Sequence, residues 1–220
     1  MEYRLSQSKF ISKTLLVMAL GLLVTYGTGM LASNYLGYIN FTTMLVAMFL
    51  ELGVVIYLRS KVAKMSPAKA TLWFLIYSAL NGITFATIFV VYDLTTIGTV
   101  FIIAALMFAS SAMVGMTTKK DLSMFGQFLT MALIGLLIVS LVNIFLPLKG
   151  LNLTISIFGM LLFSGLTAYD MQKIKCFHEQ AYYMNSNDVS RFTIIAALEL
   201  YLDFINIFLY LLRFASNNDN

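Results

Sequence analysis

The sequence predicts an all-α integral membrane protein with seven transmembrane helices, on three observations. Of 220 residues, 60% are hydrophobic and 11% charged, less than half the roughly 25% charged share of a soluble domain. The apolar residues gather into seven runs, near 14–34, 41–58, 70–92, 97–116, 124–147, 151–170 and 192–212. Each is close to the roughly 20 residues that cross about 30 Å of hydrocarbon. The runs lack period-two alternation, and backbone groups in lipid must be satisfied within a helix or a closed barrel, so each run is a helix.

Charges delimit the spans. The first follows Arg4, Lys9 and Lys13 like the basic end of a signal peptide. Its apolar run exceeds the usual roughly 7–15 residues and shows no clear small-x-small cleavage site, so it is read as a retained span. The second stops before Arg59 and Lys61, and the third follows Lys64 and Lys69. The fourth ends before Lys119 and Lys120, the fifth runs from Met124 to Pro147, and the sixth closes at Asp170 ahead of Lys173 and Lys175. The seventh lies between Arg191 and Arg213. With a cytoplasmic N-terminus, twelve of the fourteen Lys and Arg face inside and only Lys149 and Arg213 face outside. That asymmetry supports seven spans with the N-terminus in and the C-terminus out. Trp73, Tyr35, Tyr38 and Tyr92 sit near span ends as interfacial aromatics do. Two prolines and no linker-like stretch leave one domain over residues 1–220.

Composition also excludes. A lone cysteine, Cys176, forbids an intrachain disulfide, and a lone histidine, His178, rules out sites needing two imidazoles. Both are placed in a solvated cytoplasmic loop. The net charge of +4 is spread over loops facing anionic lipid and calls for no nucleic acid. No motif suggests a cofactor or nucleotide, and no internal repeat supports an inverted-repeat transporter. Gly21, Gly27, Gly29 and the Ala109–Ala112 stretch read as helix-packing material, and Asn81 and Asn143 as interhelical hydrogen-bond glue rather than ligand contacts. The glycosylation-like triplets at Asn40 and Asn152 hug the membrane and are read as unused.

Chemistry concentrates in the acids. Glu2, Asp93, Asp121, Glu179, Asp188 and Asp219 fall in loops or tails, whereas Glu51 lies late in the second span, Asp170 ends the sixth, and Glu199 and Asp203 lie inside the seventh. A charge at the bilayer centre costs about 2.5–3.5 kcal/mol on insertion scales, so such residues face a protein interior or a water path. Glu199 and Asp203 are one turn apart on one helical face, and Asn206 extends that stripe, so the seventh helix carries an inward polar seam. Two carboxylates in low dielectric repel and titrate as a coupled unit, which makes a proton sensor. Arg59, two turns after Glu51, is the cation placed to neutralise a carboxylate.

The stretch Ala197-Leu-Glu-Leu-Tyr-Leu-Asp203-Phe-Ile-Asn206 in the seventh span, with Thr167-Ala-Tyr-Asp170-Met-Gln-Lys-Ile-Lys175 closing the sixth, resembles the transmembrane Bax-inhibitor-motif family, the Bax inhibitor-1-like proteins. The resemblance extends over nearly the whole chain, and its compact length points to a bacterial member. It implies a seventh helix surrounded by the other six and a pH-sensitive calcium leak in which Asp170 and Asp203 form the sensing pair. It places the acidic residue of the second helix at Glu51 and its basic partner at Arg59. The longer loop, Cys176–Arg191, and the additional Glu199 depart from the simplest bacterial pattern. On the span boundaries above, Asp170 stands about 28 Å along the sixth helix and Asp203 about 16 Å into the seventh. Contact between them requires the sixth helix to start later and run on through Lys173, or the seventh to begin nearer Ile195; otherwise Glu199 is the closer partner.

The expected function is therefore a passive calcium path gated by protonation of Asp170 and Asp203, which also serve as transient Ca²⁺ ligands, with Glu51, Arg59, Glu199 and Asn206 supporting the ion path. Carboxylate oxygens are hard ligands for Ca²⁺, and protons compete for them. No enzymatic activity is expected. The alternatives are an H⁺/cation exchanger loading the same carboxylates, an intramembrane aspartyl protease, against which the missing Gly-x-Gly-Asp and Pro-Ala-Leu motifs weigh, and a scaffold for other membrane proteins. A rhomboid-type protease lacks its membrane histidine, and a retinal protein its last-span lysine. The expected setting is the bacterial inner membrane, with lipid, Ca²⁺ and H⁺ as partners.

Overall fold

A computed structural model describes residues 7–35, 41–146, 150–180 and 185–218. The expectations for Glu2, Arg4, Tyr38, Asn40, Pro147, Lys149 and Asp219 fall outside the described residues. Among the described residues, eight α-helices follow in order: α1 (Gln7–Ser33), α2 (Phe41–Lys61), α3 (Pro67–Phe85), the short α4 (Ile88–Val91), α5 (Leu94–Thr117), α6 (Ser123–Phe145), α7 (Leu151–Gln180) and α8 (Ser186–Asn218). A 3-10 turn, Val62–Lys64, extends α2. The described residues contain no strand.

Local chemistry sets the ends. Pro67 opens α3 at the position where a missing N–H costs nothing, and the Ser66 hydroxyl caps it by accepting from the Lys69 N–H at 3.3 Å. Ahead of α7, Gly150 takes φ +78°, open to glycine without a Cβ clash. Asn185 caps α8, its Oδ1 accepting from the Asp188 N–H at 2.9 Å.

Six segments are long and apolar enough to cross a membrane: Gln7–Ser33, Pro67–Val91, Leu94–Thr117, Ser123–Asn143, Leu151–Phe177 and Ser186–Ser216. The expected second span forms α2 over 21 residues but is not among these six, so six is the count that the described residues establish. Large apolar side chains such as Leu23, Leu106, Phe128 and Ile134 are exposed, which water disfavours and hydrocarbon accepts. The protein is an integral membrane protein.

Three expectations change. The third span is broken: α3 stops at Phe85, the Ala86 N–H turns back to the Ile83 carbonyl at 3.2 Å, and α4 begins at Ile88. The sixth and seventh helices are longer than their apolar runs, reaching Gln180 and starting at Ser186. Buried Met171 and Ile174 carry the helical pattern past the charges. The loop expected over Cys176–Arg191 contracts accordingly, and Cys176 and His178 are helical, with Cys176 exposed.

The chain forms two compact units, Met1–Leu94 with Phe177–Tyr201, and Thr95–Cys176 with Leu202–Asn220. In the first, α3 packs on α1 and α2. Gly21 lies against Phe74 and Ser78, and Gly29 against the Gly82 carbonyl, the close approach that small residues permit between membrane helices. Gly27 meets nothing within 4 Å, so its expected packing role does not hold. Phe10, Phe177 and Phe192 stack, the last two with centroids 3.3 Å apart. Arg191 ties the start of α8 to the chain before α3, its Nε donating to the Met65 carbonyl at 2.6 Å, and it pairs with Asp188.

In the second unit, Gly115 of α5 sits against the Ala168 backbone of α7, and Gly126 of α6 against the Tyr169 ring. Phe204 of α8 stands edge-on to Phe101 and Phe108 of α5, with centroids at 5.2 and 5.7 Å. Asn143 donates to the Asn152 Oδ1 at 2.7 Å, the interhelical bond expected of it.

Candidate functional site: carboxylates inside the helices

Asp170 and Asp203 both belong to the second unit. Because α7 continues to Gln180, Asp170 is not at a helix end; it stands ten residues, about 15 Å, inside, and is half-buried. Its neighbours on α7 are held firmly. Gln172 accepts from the Leu122 N–H at 2.8 Å and donates to the Lys120 carbonyl at 2.8 Å, so one amide satisfies both a donor and an acceptor of the α5–α6 connection. Lys175 Nζ donates to the Met116 carbonyl at 2.9 Å, covering an end-of-helix acceptor of α5.

Asp203 is 4% exposed, next to the Phe204 ring that packs on α5. A carboxyl so enclosed in an apolar span is a costly placement. Asn206, expected to extend the polar seam, turns its amide back onto its own helix, Nδ2 donating to the Leu202 carbonyl at 2.8 Å. Glu199, half-buried, belongs to the first unit.

Glu51 and Arg59 also belong to the first unit. Glu51 is half-buried and bonded to the Thr84 hydroxyl of α3 at 2.9 Å, while Arg59 is exposed in the last turn of α2. The unit holds a second polar group. The Thr25 hydroxyl reaches the Ser78 carbonyl at 2.9 Å, the Gly21 carbonyl at 3.0 Å and the Tyr201 hydroxyl at 2.6 Å. Either hydroxyl of the Thr25–Tyr201 pair can donate to the other.

These acids lie on helices that match a known family. The family described as "Inhibitor of apoptosis-promoting Bax1" matches residues 7–220. The chain belongs to the Bax inhibitor-1-like family. It is 40% identical over 205 residues to the inner membrane protein YbhL of Escherichia coli strain K12, covering 91% of this chain and 88% of that protein. A Borreliella burgdorferi protein is 38% identical over 222 residues, covering 98% and 95%, and one from Deinococcus radiodurans 36% over 212, covering 96% and 91%.

In this Bax inhibitor-1-like chain, sequence reasoning found the acids and missed what holds them. Thr84 continues the Tyr77–Asn81 stripe of α3 by three residues, a spacing that places all three on one face, and that was the available signal. For Gln172 and Lys175 there was none, since their partners are backbone atoms 50 to 59 residues away.

Proposed function

We propose that this protein is a pH-sensitive calcium leak of the bacterial inner membrane, in which Asp170 and Asp203 take up protons in competition with Ca²⁺. The observation that carries the reading is Asp203, a carboxyl 4% exposed within an apolar helix and in the same compact unit as the half-buried Asp170. A burial this costly is retained where the group works. Carboxylates are hard ligands that bind Ca²⁺ when ionised and release it when protonated, so one pair both senses pH and passes the ion. The protein acts as a conduit rather than an enzyme.

The fuller topology belongs to this reading: seven spans counting α2, the N-terminus inside, the C-terminus outside, and α8 central among the others. The burial of α8 supports the last point, since 67% of its span is buried against 17 to 44% for the other five candidate spans. The inner-membrane setting rests on the printed name of the Escherichia coli relative.

The test is Ca²⁺ entry into dye-loaded proteoliposomes of the purified chain from mildly acidic to mildly alkaline pH. A native flux whose pH profile is flattened by Asp203→Asn and by the Asp170→Asn, Asp203→Asn double variant is the expected outcome. An unchanged profile in the double variant removes the pair as the sensor. Counter-transport of protons, with Ca²⁺ moving only against a proton gradient, replaces the leak by exchange on the same carboxylates.

A further inference from the structure

Thr84 has one hydroxyl proton, yet its Oγ1 stands 2.9 Å from Glu51 Oε1 and 2.8 Å from the Asn81 carbonyl oxygen. An ionised carboxylate only accepts hydrogen bonds. With Glu51 charged, the hydroxyl can serve one of these oxygens and leaves the other facing a lone pair. With Glu51 neutral the conflict disappears: the carboxyl O–H donates to Thr84 Oγ1, and the Thr84 O–H donates to the Asn81 carbonyl. We propose that Glu51 is a proton-binding site in its own right, neutral in this conformation and held there by the Thr84 hydroxyl.

This site goes beyond the Asp170 and Asp203 reading, because it lies in the other compact unit and on other helices. Its position gives the proton something to control. Thr84 is in the last turn of α3, the Thr87 hydroxyl donates to the Thr84 carbonyl at 3.3 Å, and the helix breaks between Phe85 and Ile88. A threonine bonded back to its own helix bends the local backbone, so the Thr84–Asn81 bond shapes the turn at which α3 stops. When Glu51 loses its proton to water, the carboxylate accepts a stronger charge-assisted hydrogen bond from the Thr84 O–H, and the Asn81 carbonyl loses that donor. One proton at Glu51 thus selects between two bonding patterns at the break.

The groups around Glu51 leave that choice to the proton. Tyr77 on α3 and Tyr201 on α8, in the same compact unit, are uncharged at neutral pH. Arg59, on α2 itself, is exposed and so largely screened by solvent.

Infrared spectroscopy of the full chain in lipid vesicles tests this without a transport assay, so its failure is separable from failure of the leak. At neutral pH the native protein should show a protonated-carboxyl C=O band that survives in the Asp170→Asn, Asp203→Asn double variant and vanishes in Glu51→Gln. Glu51→Gln is expected to fold, because its amide N–H can donate to Thr84 as the neutral carboxyl does. Thr84→Val should move the band to higher frequency by removing its acceptor, and Thr84→Ser should restore it. A spectrum with no such band, a band unaffected by Glu51→Gln, or a band unmoved by Thr84→Val overturns the proposal.

Discussion

Asp121 shows how a single turn sets the acidity of one group. The Ser123 hydroxyl and then the Ser123 N–H donate to its carboxylate at 2.6 and 2.9 Å, and together they hold it below the usual aspartate range although it is fully exposed. A carboxyl depressed in the folded state stabilises the fold above its unfolded value, and that contribution is lost as pH falls through the folded value. Carbon-13 NMR titration should therefore place Asp121 below a free aspartate, and Ser123→Ala should return it most of the way. Tyr201 illustrates the buried case. Its ring is wholly enclosed between Phe74 and Tyr77, with centroids at 5.6 and 5.9 Å, and its hydroxyl bonds Thr25. Tyr201→Phe removes the hydroxyl alone, and an interhelical side-chain hydrogen bond averages roughly 0.6 kcal/mol and reaches about 1.7. Tyr201→Ala also empties the ring site, at a cost of roughly 3–5 kcal/mol. Unfolding of the two variants in mixed detergent should separate them in that order.

Between helices, glycines decide how closely backbones approach. A Cβ at Gly82 would meet the Thr28 hydroxyl and come within 2.5 Å of the Thr25 carbonyl, so Gly82→Ala must push α1 off α3 and should cost about 1–3 kcal/mol. Gly27 has open space around it, and Gly27→Ala should stabilise by up to about 1 kcal/mol through helix propensity. Both glycines read alike in the sequence, and only the neighbours across the interface distinguish them. Gln172 is the corresponding device for a loop. Gln172→Ala should leave α7 helical and accelerate hydrogen exchange at the Leu122 amide, whose acceptor it removes. The apolar runs located the long helices but not the break between α3 and α4 or the start of α1 at Gln7. They missed the extensions to Gln180 and from Ser186 because a helix continues into polar surroundings when one stripe stays buried, and hydrophobicity counts the whole circumference rather than the stripe.

For the molecule as a whole, the single cysteine provides a test of topology. Cys176 is exposed on α7, and the N-in reading puts it on the cytoplasmic side. A membrane-impermeant maleimide should label it in inside-out vesicles and spare it in right-side-out ones. Asn34→Cys on a Cys176→Ser background, at the far end of α1, should show the reverse; matching labelling at both positions would reject the orientation. The helical class and the presence of acids within the helical segments follow from the sequence alone, since each depends on the composition and order of residues along one segment. The contacts across the helix interfaces do not. Thr84 beside Glu51, the backbone atoms that Gln172 and Lys175 bind, and the Phe101 and Phe108 rings around Phe204 come from residues distant in the chain. Only the packing of helices against one another brings them to hydrogen-bonding or van der Waals distance. An isolated helix can bear a buried carboxylate, but only its neighbours determine what that carboxylate bonds and when it holds a proton.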